Sequence, residues 1–124
     1  MRWIVDGMNV IGSRPDGWWR DRTGAMERLV EQLDAFAEQA GEPVAVVLDG
    51  RPRDVGAPRH VEVEFAPQGG RNAADAVIAA RVEADPAPED LTIVTSDREL
   101  ADRVTAAGAR VQPAKAFRAR LNGH

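Results

Sequence analysis

Three times in a chain of 124 residues, an apolar run rich in β-branched side chains stops at or just before an aspartate. Trp3-Ile4-Val5 ends at Asp6-Gly7, Val44-Ala45-Val46-Val47-Leu48 ends at Asp49-Gly50, and Leu91-Thr92-Ile93-Val94-Thr95 runs into Ser96-Asp97. Runs without polar alternation are strands buried on both faces, as in parallel sheets covered by helices. The stretches between them supply the cover. Met26, Leu29, Val30, Leu33, Phe36, Ala37 and Ala40 recur at three and four, one stripe of a long helix opened by Thr23 and closed by Gly41. Asn72 caps a second helix to about Ala84, with Ala73, Ala76, Val77 and Ala80 inward. Ser96 and Glu99 read as a capping box for a third, ended by Gly108, and Pro113 opens a fourth to about Leu121. Two lesser strands remain. Val61 to Phe65 alternates strictly and belongs at a sheet edge, and Ala109 to Gln112 is short. The order βαββαβαβα predicts an α/β fold over residues 1–124 as one domain, with a mainly parallel sheet of about five strands and helices on both faces.

Parallel strands bring Asp6, Asp49 and Asp97 to one edge, the edge at which open α/β sheets bind ligands. Asp75 opens the second helix, whose N-terminus points the same way, and Asn9 lies just past the first strand. Each residue also has a local role. Asp-Gly and Asn are turn formers, Asn72-x-x-Asp75 is a helix start, and Asp97 follows a cap. Two carboxylates ~5 Å apart repel by roughly 3 kcal/mol at an effective dielectric of 20. Either their pKa values rise or a cation sits between them. With no cysteine, and only His60 and His124 as imidazoles, the ligand set is hard oxygen, which selects Mg2+ or Mn2+ over zinc. Such a site rimmed by arginine is suited to attack on a phosphodiester by metal-activated water.

The formal charge of -4 argues against a generally basic nucleic-acid coat. Of the 16 basic residues all but Lys115 are arginine, the side chain that grips phosphate with two parallel hydrogen bonds. Arg14, Arg20, Arg51, Arg53 and Arg71 fall in loops expected at the acidic edge and are the candidate nucleic-acid contacts, with Arg22 and Arg59 nearby. Trp18-Trp19 is either a base-stacking pair or a cover for the core edge. Asp6 breaks the early apolar run, so it does not read as a signal peptide, and no run approaches membrane-spanning length. A cysteine-free chain of this kind fits the cytoplasm.

Val5-Asp6-Gly7-Met8-Asn9-Val10-Ile11, Val47-Leu48-Asp49-Gly50, Ala74-Asp75-Ala76-Val77-Ile78 and Val94-Thr95-Ser96-Asp97-Arg98 together resemble the NYN family of PIN-like nucleases, most closely its YacP-like branch. The resemblance implies a PIN-like three-layer α/β/α sandwich and metal-dependent ribonuclease activity. It implies that Asp6, Asp75 and Asp97 hold Mg2+ or Mn2+, that Asn9 orients the site, and that Asp49 and Ser96 are accessory. The implied partner is RNA, single-stranded or structured, free or on the ribosome. There is one departure. Many members carry a further acid one helical turn after the last aspartate, and here that position is Ala101, while Glu99 and Asp102 face differently on an ideal helix. The gap keeps open a non-catalytic RNA- or ribosome-binding module on the same fold. A receiver-like phosphoacceptor domain is imitated by Asp49, Thr95 and Lys115. Against it, Asp6 is followed by Gly7 rather than a second acid, and a helix between the second and third strands is missing.

Overall fold

The computed structural model describes residues 1–67 and 73–122. Its strands are β1 (Arg2–Asp6), β2 (Val44–Asp49), β3 (Val61–Ala66), β4 (Leu91–Val94) and β5 (Arg110–Gln112). They form one sheet in the order β3-β2-β1-β4-β5, and every pairing is parallel. The three apolar runs are the central strands, and the alternating Val61 strand is at an edge. The chain builds outward from β1 to β3, then crosses back to β4 on the other side. The strand order therefore reverses between β1 and β4, where open sheets form a crevice at their carboxyl ends.

The helices are α1 (Gly7–Gly12), α2 (Arg22–Ala40), α3 (Ala73–Ala84), α4 (Arg98–Ala106) and α5 (Ala114–Asn122). Successive strand residues point to opposite faces, so β1 feeds two cores. Trp3 and Val5 join Val46, Leu48 and Val94 under α1, α2 and α5. Ile4 joins Val47 and Ile93 under α3 and α4. The result is the expected three-layer sandwich. In the first core, the rings of Trp3, Phe36 and Phe117 meet at centroid distances of 5.3–5.5 Å.

Four local expectations are corrected. The short helix α1, directly after Asp6, was not anticipated. Its start is jammed against β2, since a Cβ on Gly7 would lie 2.5 Å from Leu48 Cδ2, so the position demands glycine. Asp21, rather than Thr23, caps α2 by accepting from Gly24 N at 3.0 Å; the Thr23 hydroxyl accepts from Arg53 instead. Asp97, rather than Ser96, caps α4, accepting from Leu100 N at 3.0 Å. Finally, α3 buries Ala74, Ile78, Ala79 and Val82 and leaves Ala76 and Ala80 exposed. Its bulky Ile78 and Val82 choose the inner face, which the many alanines left ambiguous. Asn72 lies outside the described residues. No helix among the described residues is long and apolar enough to cross a membrane.

Candidate functional site

The sheet register levels the strand ends. Val5 pairs with Val94, so Asp6 and Thr95 are neighbours across the β1/β4 crevice. Asp6 is only 5% exposed and Thr95 is buried. The Thr95 hydroxyl donates to Asp6 Oδ2 at 3.0 Å and accepts from Asp97 N at 3.1 Å. Ser96 N donates to Asn9 Oδ1 at 2.8 Å, and Ser96 Oγ accepts from Ala114 N at 2.9 Å. A continuous set of hydrogen bonds thus joins the end of β1, α1, the end of β4, the cap of α4 and the start of α5. Asn9 and Ser96 are linked to the turn that carries Asp97 and to the start of α5.

The carboxylates converge. Burial pushes the Asp6 carboxyl up to about 7, with the negative charges of Asp75 and Asp49 adding and the Thr95 hydroxyl and Asn9 N–H opposing. Asp75 is raised by burial, then by the charges of Asp97, Asp49 and Glu99 and by a hydrogen bond to Asp97 that only its protonated form donates. Asp49 is raised by burial against the pull of the Ala74 N–H and of Arg22. Asp6, Asp49, Asp75 and Asp97 therefore share one electrostatic environment, as three parallel strand ends and one helix start require.

Two further residues join the group. In the sequence Thr95 reads only as the end of a buried run and part of a receiver-like pattern, and Glu99 only as a capping-box acid that faces differently on an ideal helix. Glu99 borders a cleft of about 210 Å3 with Asp75, Ala76, Leu100 and Arg103. Its charge lies close enough to help raise the Asp75 carboxyl.

The arginines divide. Arg53 lies by Gly50 and donates to Thr23, and Arg22 lies near enough to Asp49 to favour its charge. Arg20 and Arg51 are exposed before α2 and after β2. Arg14 turns away to donate to Gln32 of α2. Arg71 lies outside the described residues. Trp18 packs on the core, while Trp19 is 59% exposed beside it.

Among the described residues, no three acidic or imidazole side chains are gathered closely enough to enclose a metal ion. The donor chemistry nevertheless fits a hard cation. Every candidate ligand is a carboxylate oxygen, and Asp49 Oδ1 is buried without a hydrogen-bond partner.

The fold agrees with known proteins. The crystal structure of Rae1 (YacP) from Bacillus subtilis superposes with a TM-score of 0.82 at 22% identity, covering 99% of this chain and 74% of that one. A point variant of the same protein gives 0.78 at 22% identity, covering 99% and 76%. At that identity the likeness establishes a shared fold. No curated protein matches the chain. The sequence profile of the YacP-like NYN domain matches residues 3–123. The chain belongs to the YacP-like NYN domain family, a family of PIN-like nucleases.

Proposed function

We propose that this protein is a metal-dependent ribonuclease that hydrolyses RNA phosphodiester bonds at the carboxylate crevice. The observation that carries this reading is the convergence of Asp6, Asp49, Asp75 and Asp97 at the strand-order reversal, where burial raises Asp6, Asp49 and Asp75 and the charges of neighbouring acids raise Asp6 and Asp75 further. Charges held that close are stabilised by a cation or by protonation. Asp6, Asp75 and Asp97 would hold Mg2+ or Mn2+, which when bound supplies an activated water and charge stabilisation at the phosphate.

The chain's own residues do the positioning. Thr95 fixes one oxygen of Asp6 and the backbone of Asp97, so the β1 and β4 acids keep their relative placement. Asp97 uses Oδ1 on its helix cap, which leaves Oδ2 for a ligand. Asn9 holds the Ser96 backbone and so the turn that carries Asp97. Asp49 presents its unpartnered Oδ1 as an accessory acceptor. Arg20, Arg51 and Arg53 supply cations on the loops for the phosphates of the strand.

The test is a mixed pool of single-stranded and structured RNA incubated with Mn2+ or with EDTA. Wild-type protein should cleave only with the metal, and Asp6→Asn should abolish cleavage while retaining fold and RNA binding. Equal cleavage by the two proteins would overturn the proposal. A second reading, a non-catalytic RNA- or ribosome-binding module, is favoured by Ala101 in the place of a further acid. It requires RNA binding with no metal-dependent cleavage by the wild type.

A further inference from the structure

Away from the carboxylates, on the face covered by α1, α2 and α5, a cavity of about 380 Å3 is lined by Arg14, Pro15, Asp16, Arg118 and Asn122. Two cations line it, and a third lies close by. Arg14 follows α1, Arg118 lies on α5, and Arg28 on α2 is close enough, like Arg118, to disfavour the charge of Arg14. Burial is the largest influence against that charge, and Arg14 Nε is buried with no hydrogen-bond partner. Arg118 donates to the Ser13 carbonyl and Arg14 to Gln32, so both side chains are oriented by neutral acceptors.

Several arginines elsewhere are paired or stacked. Arg2 pairs with Asp85 and Asp90, Arg81 with Glu62 and Glu64, and Arg103 with Glu83. Arg120 lies over the rings of Trp3 and Phe36. Among the described residues, Arg14, Arg28 and Arg118 have no carboxylate within ion-pair distance; Asp16 only favours the charge of Arg14 from farther off. In a chain with more acids than bases, three converging guanidinium groups left without an anion are a site for one.

We propose that this cavity binds a phosphate of an RNA strand, held between Arg14, Arg28 and Arg118. The choice of RNA as the source rests on the ribonuclease reading. The path is short, since α1 runs from Asp6 to the Arg14 loop and its six residues span only about 9 Å. A strand whose scissile phosphate lies at the carboxylates crosses that distance in a few nucleotides. The cavity would anchor the strand beside the acidic crevice, giving a net-acidic protein its grip on a polyanion.

The experiment measures binding of a short single-stranded RNA against salt, in EDTA and in an Asp6→Asn background, so that cleavage plays no part. Each phosphate contact to a single strand contributes about 0.7 to the slope of log affinity against log salt. Adding Arg28→Gln and Arg118→Gln should lower that slope by about 0.7, the share of the single phosphate, and Arg28→Gln alone should lower it by a smaller amount. Arg28 is exposed and makes no hydrogen bond among the described residues, so the single variant tests the idea even if loss of Arg118 disturbs the fold. Arg28→Lys with Arg118→Lys should keep the slope but weaken binding, because lysine lacks the planar fork. Asp16→Asn should tighten binding. An unchanged slope in both glutamine variants overturns the proposal. So does protection from heat by inorganic phosphate that those variants lose while RNA affinity stays unchanged, since the cavity would then serve a free phosphate. No salt-dependent RNA binding in any protein defeats the RNA reading itself.

Discussion

Asp6→Asn keeps the size of the side chain and an oxygen for the Thr95 hydroxyl, but removes the charge that burial and two neighbouring acids oppose. In the metal-free protein a carboxyl raised from 3.8 to about 7 binds a proton more tightly folded than unfolded. Between those values the folded state holds more protons, so stability falls as pH rises. Below pH 3.8 both states are protonated and the wild type has no deficit from this group. At about 1.4 kcal/mol per pKa unit, the full deficit is about 4 kcal/mol, nearly complete at pH 7 to 8 and below about 1 kcal/mol at pH 4. Asp6→Asn should therefore exceed the wild type in stability by an amount that grows across this range. Urea unfolding in EDTA at pH 4, 6 and 8 measures it. A difference that does not change with pH, or a variant less stable than wild type at pH 8, would refute the argument that Asp6 is held under electrostatic strain.

Mn2+ or Mg2+ should raise the melting temperature of the wild type by mass action on the folded state, and Asp6→Asn with Asp97→Asn should lose the response. An unaltered response, read by thermal denaturation, would put the metal elsewhere. Thr95→Val keeps the shape but strips a donor from Asp6 and an acceptor from Asp97 N, which should cost about 1–3 kcal/mol in urea unfolding. A neutral effect would mean the hydroxyl does not hold the two strand ends. Phe117→Ala opens the aromatic cluster with Trp3 and Phe36 and should cost about 3–5 kcal/mol by the same measurement, with a loss under about 1 kcal/mol contradicting the packing.

Local cap chemistry was the weak point of reading this chain. Asp21, Thr23, Ser96 and Asp97 all carry a side-chain oxygen able to accept from a helix N–H, and sequence spacing does not rank them. The choice followed from other bonds. Thr23 is engaged by Arg53 and Ser96 by Ala114, which leaves Asp21 and Asp97 as the caps. The inner face of α3 was misread for a related reason, since alanine fits a buried or an exposed position equally well.

Sequence alone determined that the chain is a parallel α/β sheet with aspartates along one edge. Burial on both faces keeps charged residues out of the middle of a central strand, and a parallel arrangement sends all the strand ends the same way, so both facts are written in one dimension. Only the tertiary structure decided which acids feel one another, how Thr95 ties Asp6 to Asp97, and which arginines stand apart. Those depend on sheet register, helix rotation and the crossing from β3 back to β4. They bring together residues such as Asp6 and Thr95, or Arg14 and Arg118, whose separation along the chain carries no sign of their contact.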